Sequence, residues 1–234
     1  MKQHHYLIIG GNSGIGASLT QQLLTEGHKI TALSRNPIPE TQHHPQLNWQ
    51  KSDVLDTAIP LPEISDTIDG IAYCPGSINL KPFRSLKPED FQNDFNINLM
   101  GAVRIIQQYL PSLLKSEIAS LLLFSSVAAQ AGMSFHASIA AAKGAVEGFG
   151  KALAAELAPK VRVNVIAPSL TNTPLATRLL NHETKEKAAA DRHPLKRIGQ
   201  PADVAALAAF LLSPKSSWIT GQVIGADGGM STIR

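Results

Sequence analysis

The stretch from Tyr6 to Gly16, Tyr-Leu-Ile-Ile-Gly-Gly-Asn-Ser-Gly-Ile-Gly, constrains the fold more than any other part of the chain. A short apolar run stops at two glycines, and a helical pattern begins directly after it. That order predicts a buried strand, a tight turn and a helix whose N-terminus faces the turn. Glycine has no Cβ, so Gly10, Gly14 and Gly16 permit unusual dihedrals and let the backbone approach a ligand closely. With Asn12, Ser13 and Ile15 they form a loop whose helical N–H groups and partial positive charge suit a pyrophosphate. The spacing is Gly-x-x-x-Gly-x-Gly, not the commoner Gly-x-Gly-x-x-Gly, and such a turn can also serve packing alone. Its place at the head of an alternating strand and helix pattern points to phosphate binding.

The rest of the chain repeats that alternation. Leu19, Leu23 and Leu24 fall at helical spacing in Ala17–Glu26, and Gly27 ends the helix. Strands are expected at 29–33, 47–50, 70–74, 119–125, 161–167 and 222–225. Helices are expected at 88–115, where Pro111 should break the last turn, and at 137–158 and 201–212. The segment 56–69, with two prolines, reads as a short or degenerate helix. Residues 169–199 read as an irregular to helical, mobile lid, amphipathic around Leu175, Leu179 and Leu180. Alternation throughout argues for an α/β, Rossmann-type doubly wound parallel sheet of about seven strands with helices on both faces. No linker or repeat divides the 234 residues, so a single domain spanning 1–234 is expected.

Composition narrows the partners. The chain is 44% hydrophobic and 17% charged, which excludes a disordered or fibrous class. A formal charge of +3, without a basic run or aromatic-interleaved stripe, gives no support to nucleic-acid binding. No apolar stretch reaches the roughly 18 residues of a membrane span, and the first strand starts too early for a signal peptide. The single cysteine, Cys74, fits a reducing, cytoplasmic setting and reads as a small apolar residue in a strand. No metal is expected.

Several separated motifs then agree in order and spacing. They are Gly10-x-x-x-Gly14-Ile15-Gly16, Asp53-Val54, Asn96-Ile97-Asn98-Leu99, Phe124-Ser125-Ser126 and Lys143-Gly144-Ala145. Val163-Asn164-Val165-Ile166-Ala167-Pro168, Ile219-Thr220-Gly221-Gln222 and Asp227-Gly228-Gly229 complete the set. With these the chain resembles the short-chain dehydrogenase/reductase family over essentially its full length. The resemblance implies a nicotinamide dinucleotide across the carboxyl ends of the strands, with pyrophosphate at the glycine turn and adenine bracketed by Asp53 and Val54. Ser34-Arg35-Asn36 would lie at the adenosine ribose. It contains no acid for ribose hydroxyls, and the Arg35 cation suits a 2′-phosphate, so NADP is expected ahead of NAD. Arg35 as a plain solvated loop charge is the alternative. Pro168, Leu170 and Thr173 match the family's segment over the nicotinamide, with Ser169 in place of a glycine. Cys74-Pro75-Gly76 departs from the usual amide-rich end of the fourth strand and keeps only its glycine.

The family's catalytic helix pairs a tyrosine with a lysine four residues later, and a serine after the fifth strand holds the substrate oxygen. Lys143 and Ser126 match, and Asn98 matches a water-relay position. Ile139, however, stands four residues before Lys143 and can neither donate a proton nor stabilise an alkoxide. A lost general acid costs about 10²- to 10⁴-fold in rate. His136, seven residues before Lys143, lies two helical turns away and is the candidate substitute, its alternative being a loop residue that bonds backbone. Two functions follow from this pattern. One is an NADP-dependent oxidoreductase acting on a small, partly apolar molecule through an altered proton relay. The other is a catalytically silent dinucleotide-binding sensor or scaffold. Small residues at Ala141, Gly144, Ala145, Gly148 and Ala152 allow close helix approach, within the protein or in the homodimer or homotetramer that the resemblance implies.

Overall fold

The computed structural model describes residues 2–39 and 43–233. The expected span 1–234 also includes residues 1, 40–42 and 234, which lie outside the described residues. Seven strands form one sheet: β1 (His5–Ile9), β2 (Lys29–Ser34), β3 (Leu47–Lys51), β4 (Gly70–Tyr73), β5 (Ser120–Phe124), β6 (Arg162–Pro168) and β7 (Val223–Ala226). Their spatial order is β3-β2-β1-β4-β5-β6-β7 and every pairing is parallel, Ile8 lying between Ala32 and Ala72. The helices are α1 (Gly14–Thr25), α2 (Pro88–Phe95), α3 (Gly101–Leu113), α4 (Ala137–Leu157), α5 (Glu183–Asp191) and α6 (Pro201–Leu212).

Period-two alternation assigns the faces. From β1, Tyr6 and Ile8 pack with Leu19 and Leu23 of α1 and Val204 and Leu211 of α6. Leu7 and Ile9 point the other way, into Ile105 and Tyr109 of α3 and Val146 and Ala154 of α4. With both faces covered, all of β1, β4 and β5 is buried, which is why they read as continuous apolar runs. A fully buried Leu or Ile contributes roughly 1.5–3 kcal/mol, so these two layers supply the main stabilisation.

Strand order reverses between β1 and β4, and the crevice of a doubly wound sheet falls at that switch point. Here the backbones come close. Gly10 has φ +76°, and a Cβ at Gly16 would sit 2.2 Å from the Gly10 carbonyl oxygen, so no side chain fits at Gly16.

Two expectations are corrected. Residues 56–69 contain no helix. Arg104 of α3 donates instead to the carbonyls of Val54, Asp56 and Ile59, and the Tyr109 hydroxyl to that of Pro62. Side chains of one helix thus satisfy the irregular backbone that prolines keep from coiling. Pro111 does not break α3, because the carbonyl it deprives of a donor belongs to exposed Gln107 and Leu114 N–H bonds on to the Leu110 carbonyl at 2.9 Å. The interruption lies at Asn96–Met100, a π turn between α2 and α3. There Gly101 N–H reaches back to the Asn96 carbonyl, and the freed Ile97 carbonyl accepts the Tyr73 hydroxyl at 2.6 Å. Residues 169–199 hold a 3₁₀ segment at Pro174–Leu179 and α5 after it.

Candidate active site

At the β1–α1 turn, Gly14 adopts φ +53°, and a Cβ there would lie 3.2 Å from Thr173 Cγ2. The segment after β6 therefore closes directly over the glycine turn. Ser13 occupies the N-cap of α1 without a side-chain cap bond, with Asn12 and Ile15 half-buried beside it. The first turn of a helix offers N–H groups that have no partner within the helix.

The ends of β2 and β3 lie next to this turn, since Gly10 N–H donates to the Leu33 carbonyl at 2.7 Å. Ser34 Oγ is engaged internally: it accepts from the Trp49 indole at 2.8 Å and donates to the Asn36 carbonyl at 2.7 Å. Arg35 and Asn36 are exposed. Asp53 is exposed with Oδ1 taking the Leu55 N–H, while Val54 is half-buried. Cys74, whose backbone N–H donates to the Ile9 carbonyl, packs its Cβ near Gly10 and Gly16, followed by Pro75. Burial pushes its thiol up to about 12, so it carries no thiolate near neutral pH.

On the other side of the switch point, α4 brings Lys143 inward. Its side chain is buried, and Nζ donates to the Phe124 carbonyl at the end of β5 at 2.8 Å. Desolvation lowers its pKa from 10.5 to about 8. A Cβ placed on Gly76 would be 3.4 Å from Lys143 Nζ and 3.3 Å from Asn98 Oδ1. Asn98, in the π turn, donates through Nδ2 to the Asp94 carbonyl at 2.7 Å and to Ser77 Oγ at 2.9 Å, and its Oδ1 has no partner. Ser126 follows β5 half-buried; its Oγ accepts from Ala128 N–H, which leaves the hydroxyl proton free to donate. Ile139 is buried, 5% exposed, one turn before Lys143.

His136 stands at the N-cap of α4, half-buried, its Nδ1 2.7 Å from the Ser134 carbonyl. The backbone-bonding alternative weighed from the sequence is thus the contact observed, and Nε2 is the ring nitrogen left for any other partner. Pro168, Leu170 and Thr173 are all half-buried at the end of β6, where Thr173 meets the glycine turn. Sequence reasoning missed two participants. Asp94 is buried with Oδ1 accepting from Ser77 at 2.6 Å, while its backbone carbonyl takes Asn98 Nδ2 one turn on. His193, 2% exposed, donates from Nδ1 to the Ala189 carbonyl at 2.8 Å, so its Nε2 accepts the Ser169 hydroxyl at 2.7 Å. That bond ties the start of the lid to its exit. Among the described residues no group of three His, Cys, Asp or Glu side chains could hold a metal, and no helix is long and apolar enough to cross a membrane.

Residues 9–231 match the family model described as enoyl-(acyl carrier protein) reductase. The 3-oxoacyl-[acyl-carrier-protein] reductase MabA of Mycobacterium tuberculosis is 32% identical over 227 residues, covering 96% of this chain and 91% of that protein. Among solved structures, a short-chain dehydrogenase/reductase of the glucose/ribitol dehydrogenase type from Brucella melitensis is similar at TM-score 0.87 and 29% identity, covering 97% and 96% of the two chains. The 3-ketoacyl-(acyl-carrier-protein) reductase from Brucella melitensis, complexed with NADH, gives TM-score 0.84 and 25% identity, with 97% and 98% coverage.

Proposed function

Given that the chain belongs to the short-chain dehydrogenase/reductase family, we propose that it is an NADP-dependent oxidoreductase acting on a small, partly apolar carbonyl or enoyl compound through an altered proton relay. The carrying observation is the convergence of Lys143 Nζ and Asn98 Oδ1 on Gly76, beside the glycine turn. The residues fit a nicotinamide dinucleotide: a side-chain-free cradle at Gly16, an orphaned buried acceptor on Asn98, and a buried ammonium with donors to spare. In this reading Gly10, Asn12, Ser13, Gly14, Ile15 and Gly16 hold the pyrophosphate. Ser34, Arg35 and Asn36 take the adenosine ribose and its phosphate, and Asp53 and Val54 the adenine. Cys74, Pro75 and Gly76 line the floor, and Pro168, Leu170 and Thr173 cover the nicotinamide. When bound, the nicotinamide supplies the hydride chemistry.

The chain's own work is orientation and proton supply. Lys143 holds the nicotinamide ribose, and the free hydroxyl proton of Ser126 donates to the substrate oxygen. Ile139 occupies the position of the family's tyrosine and offers an apolar wall in place of an acid. The proton then comes from water ordered by Asn98, or from His136 through Nε2, since Nδ1 is committed to Ser134. The relatives described above are all named for reactions, which lends the silent-binder reading no support.

The domain is read as the whole chain with a lid at 169–199, and the protein as a cytoplasmic homodimer or homotetramer. Ala141, Gly144, Gly148 and Ala152 are exposed, and a Cβ at Gly144 or Gly148 would meet nothing within 4 Å, so internal packing does not account for this small-residue face of α4. The functional test is NADPH oxidation with short 3-oxoacyl and enoyl thioesters, for the wild type and Ile139→Tyr. Turnover of either class, raised on 3-oxo substrates by the tyrosine, supports the reading. No turnover by either protein with NADPH bound would reject it.

A further inference from the structure

The polar groups behind Lys143 hold more acceptors than donors. Asp94 is 2% exposed; its Oδ1 accepts from Ser77, and its Oδ2 has no partner. Ser77 Oγ accepts in turn from Asn98 Nδ2, and Asn98 Oδ1 and Lys143 Nζ both approach the same point beside Gly76, 3.3 and 3.4 Å from where its Cβ would be. A buried carboxylate with one donor is costly unless a cation offsets its charge. Lys81, in the loop before α2, is already paired with Asp90 at 2.6 Å. Glu147, one turn along α4 from Lys143, is taken up by Ser125 at 2.7 Å and Gln130 at 3.1 Å.

We propose that Asp94 is a positioning residue: its buried carboxylate is the counter-charge that keeps the Lys143 ammonium protonated, and through Ser77 it fixes Asn98 with Oδ1 aimed at Gly76. The proposal rests on the reading of Lys143 as the ammonium at the nicotinamide ribose. Burial of Lys143 works against its charge, and the groups facing it that oppose this are Cys74 from the end of β4 and Asp94 from α2. Cys74 is a neutral thiol at this pH because its own burial holds it near 12, so the opposing charge comes from Asp94. Without that charge, Lys143 would lose its proton close to neutral pH and with it both the cation and one donor.

The test is competitive acetylation of the nucleotide-free protein with acetic anhydride between pH 6 and 11, with Lys143 followed by mass spectrometry. Wild-type Lys143 should titrate near 8. Asp94→Asn should titrate about one unit lower, with a roughly tenfold larger neutral fraction at pH 6. Ser77→Ala keeps the charge and should titrate with the wild type. An Asp94→Asn curve superimposed on the wild type overturns the proposal. A second measurement does not need the Asp94→Asn protein to be fully stable. Lys143→Met leaves the carboxylate without its counter-charge and should lower the melting temperature, and adding Asp94→Asn should recover part of that loss. Strictly additive losses would overturn the proposal as well. Both readouts are taken without nucleotide, so a failure of NADPH to bind would overturn the ribose reading separately and leave these results to decide the counter-charge.

Discussion

Lys143 Nζ and Asn98 Oδ1 both approach the point a Gly76 Cβ would occupy, 3.4 and 3.3 Å from it. That point is kept open by one missing methyl group, and it lies just past β4, where the strand order reverses.

Gly76→Ala is therefore expected to fill the cradle. The new methyl meets flexible polar ends rather than backbone, so stability should change by less than about 1 kcal/mol. Nucleotide affinity should fall at least tenfold. Paired denaturant melts and NADPH titrations check this; a destabilised protein with unchanged affinity would contradict it.

Tyr73 and Gly101 form a second coupled pair. A Cβ at Gly101 would lie 2.2 Å from the Tyr73 hydroxyl, which itself serves the Ile97 carbonyl. Tyr73→Phe should cost roughly 1–3 kcal/mol by orphaning that carbonyl. Gly101→Ala should cost more, and adding Tyr73→Phe should recover part of the loss. Denaturant melts of the three variants give the coupling, and simple additivity would contradict the packing described.

Acid should destabilise the fold through its histidines. Burial lowers the pKa of His5 and of His28, whose ring lies 5.4 Å from that of His4 and 5.3 Å from that of Tyr6. Below 6.5 the unfolded chain binds protons that the folded one resists. Stability is thus fully present above 6.5 and is lost as pH falls toward the lower folded values. A plot of unfolding free energy against pH should bend downward below 6.5, and His5→Gln should flatten the bend. An equally steep fall in that variant would assign it elsewhere.

Arg35 sits exposed just past β2, next to the turn through the Gly10–Leu33 bond. If it pairs with a 2′-phosphate, Arg35→Asp should erase most of the preference for NADPH over NADH, a change of at least tenfold, or about 1.4 kcal/mol. An unaltered ratio of dissociation constants would return Arg35 to the role of a solvated loop charge.

Much of this was legible because parallel strands buried on both faces read as apolar runs, as in Tyr6–Ile9 and Ser120–Phe124. Gly10, Gly14 and Gly16 are legible because positive φ at the first two and the lack of room for a Cβ at the third all favour glycine. The π turn at Asn96–Met100 is not, since the hydroxyl that serves its freed carbonyl comes from β4, far away in sequence. Residues 56–69 were misread for the same reason: Arg104 supplies the donors that a local helix would otherwise have provided. Asp94 and His193 escaped notice because nothing in their neighbourhoods marks a buried polar side chain, and their partners Ser77 and Ser169 lie 17 and 24 residues away.

The central claim is that the glycine turn, Arg35 and Lys143 hold a phosphorylated nicotinamide dinucleotide. Fluorescence titration with NADPH, NADH and their oxidised forms, for the wild type and Lys143→Met, tests it most directly. The account predicts tight binding of NADPH, weaker binding of NADH, and a loss of at least tenfold in NADPH affinity when Lys143 is replaced. Failure of all four nucleotides to bind the folded wild-type protein would contradict it.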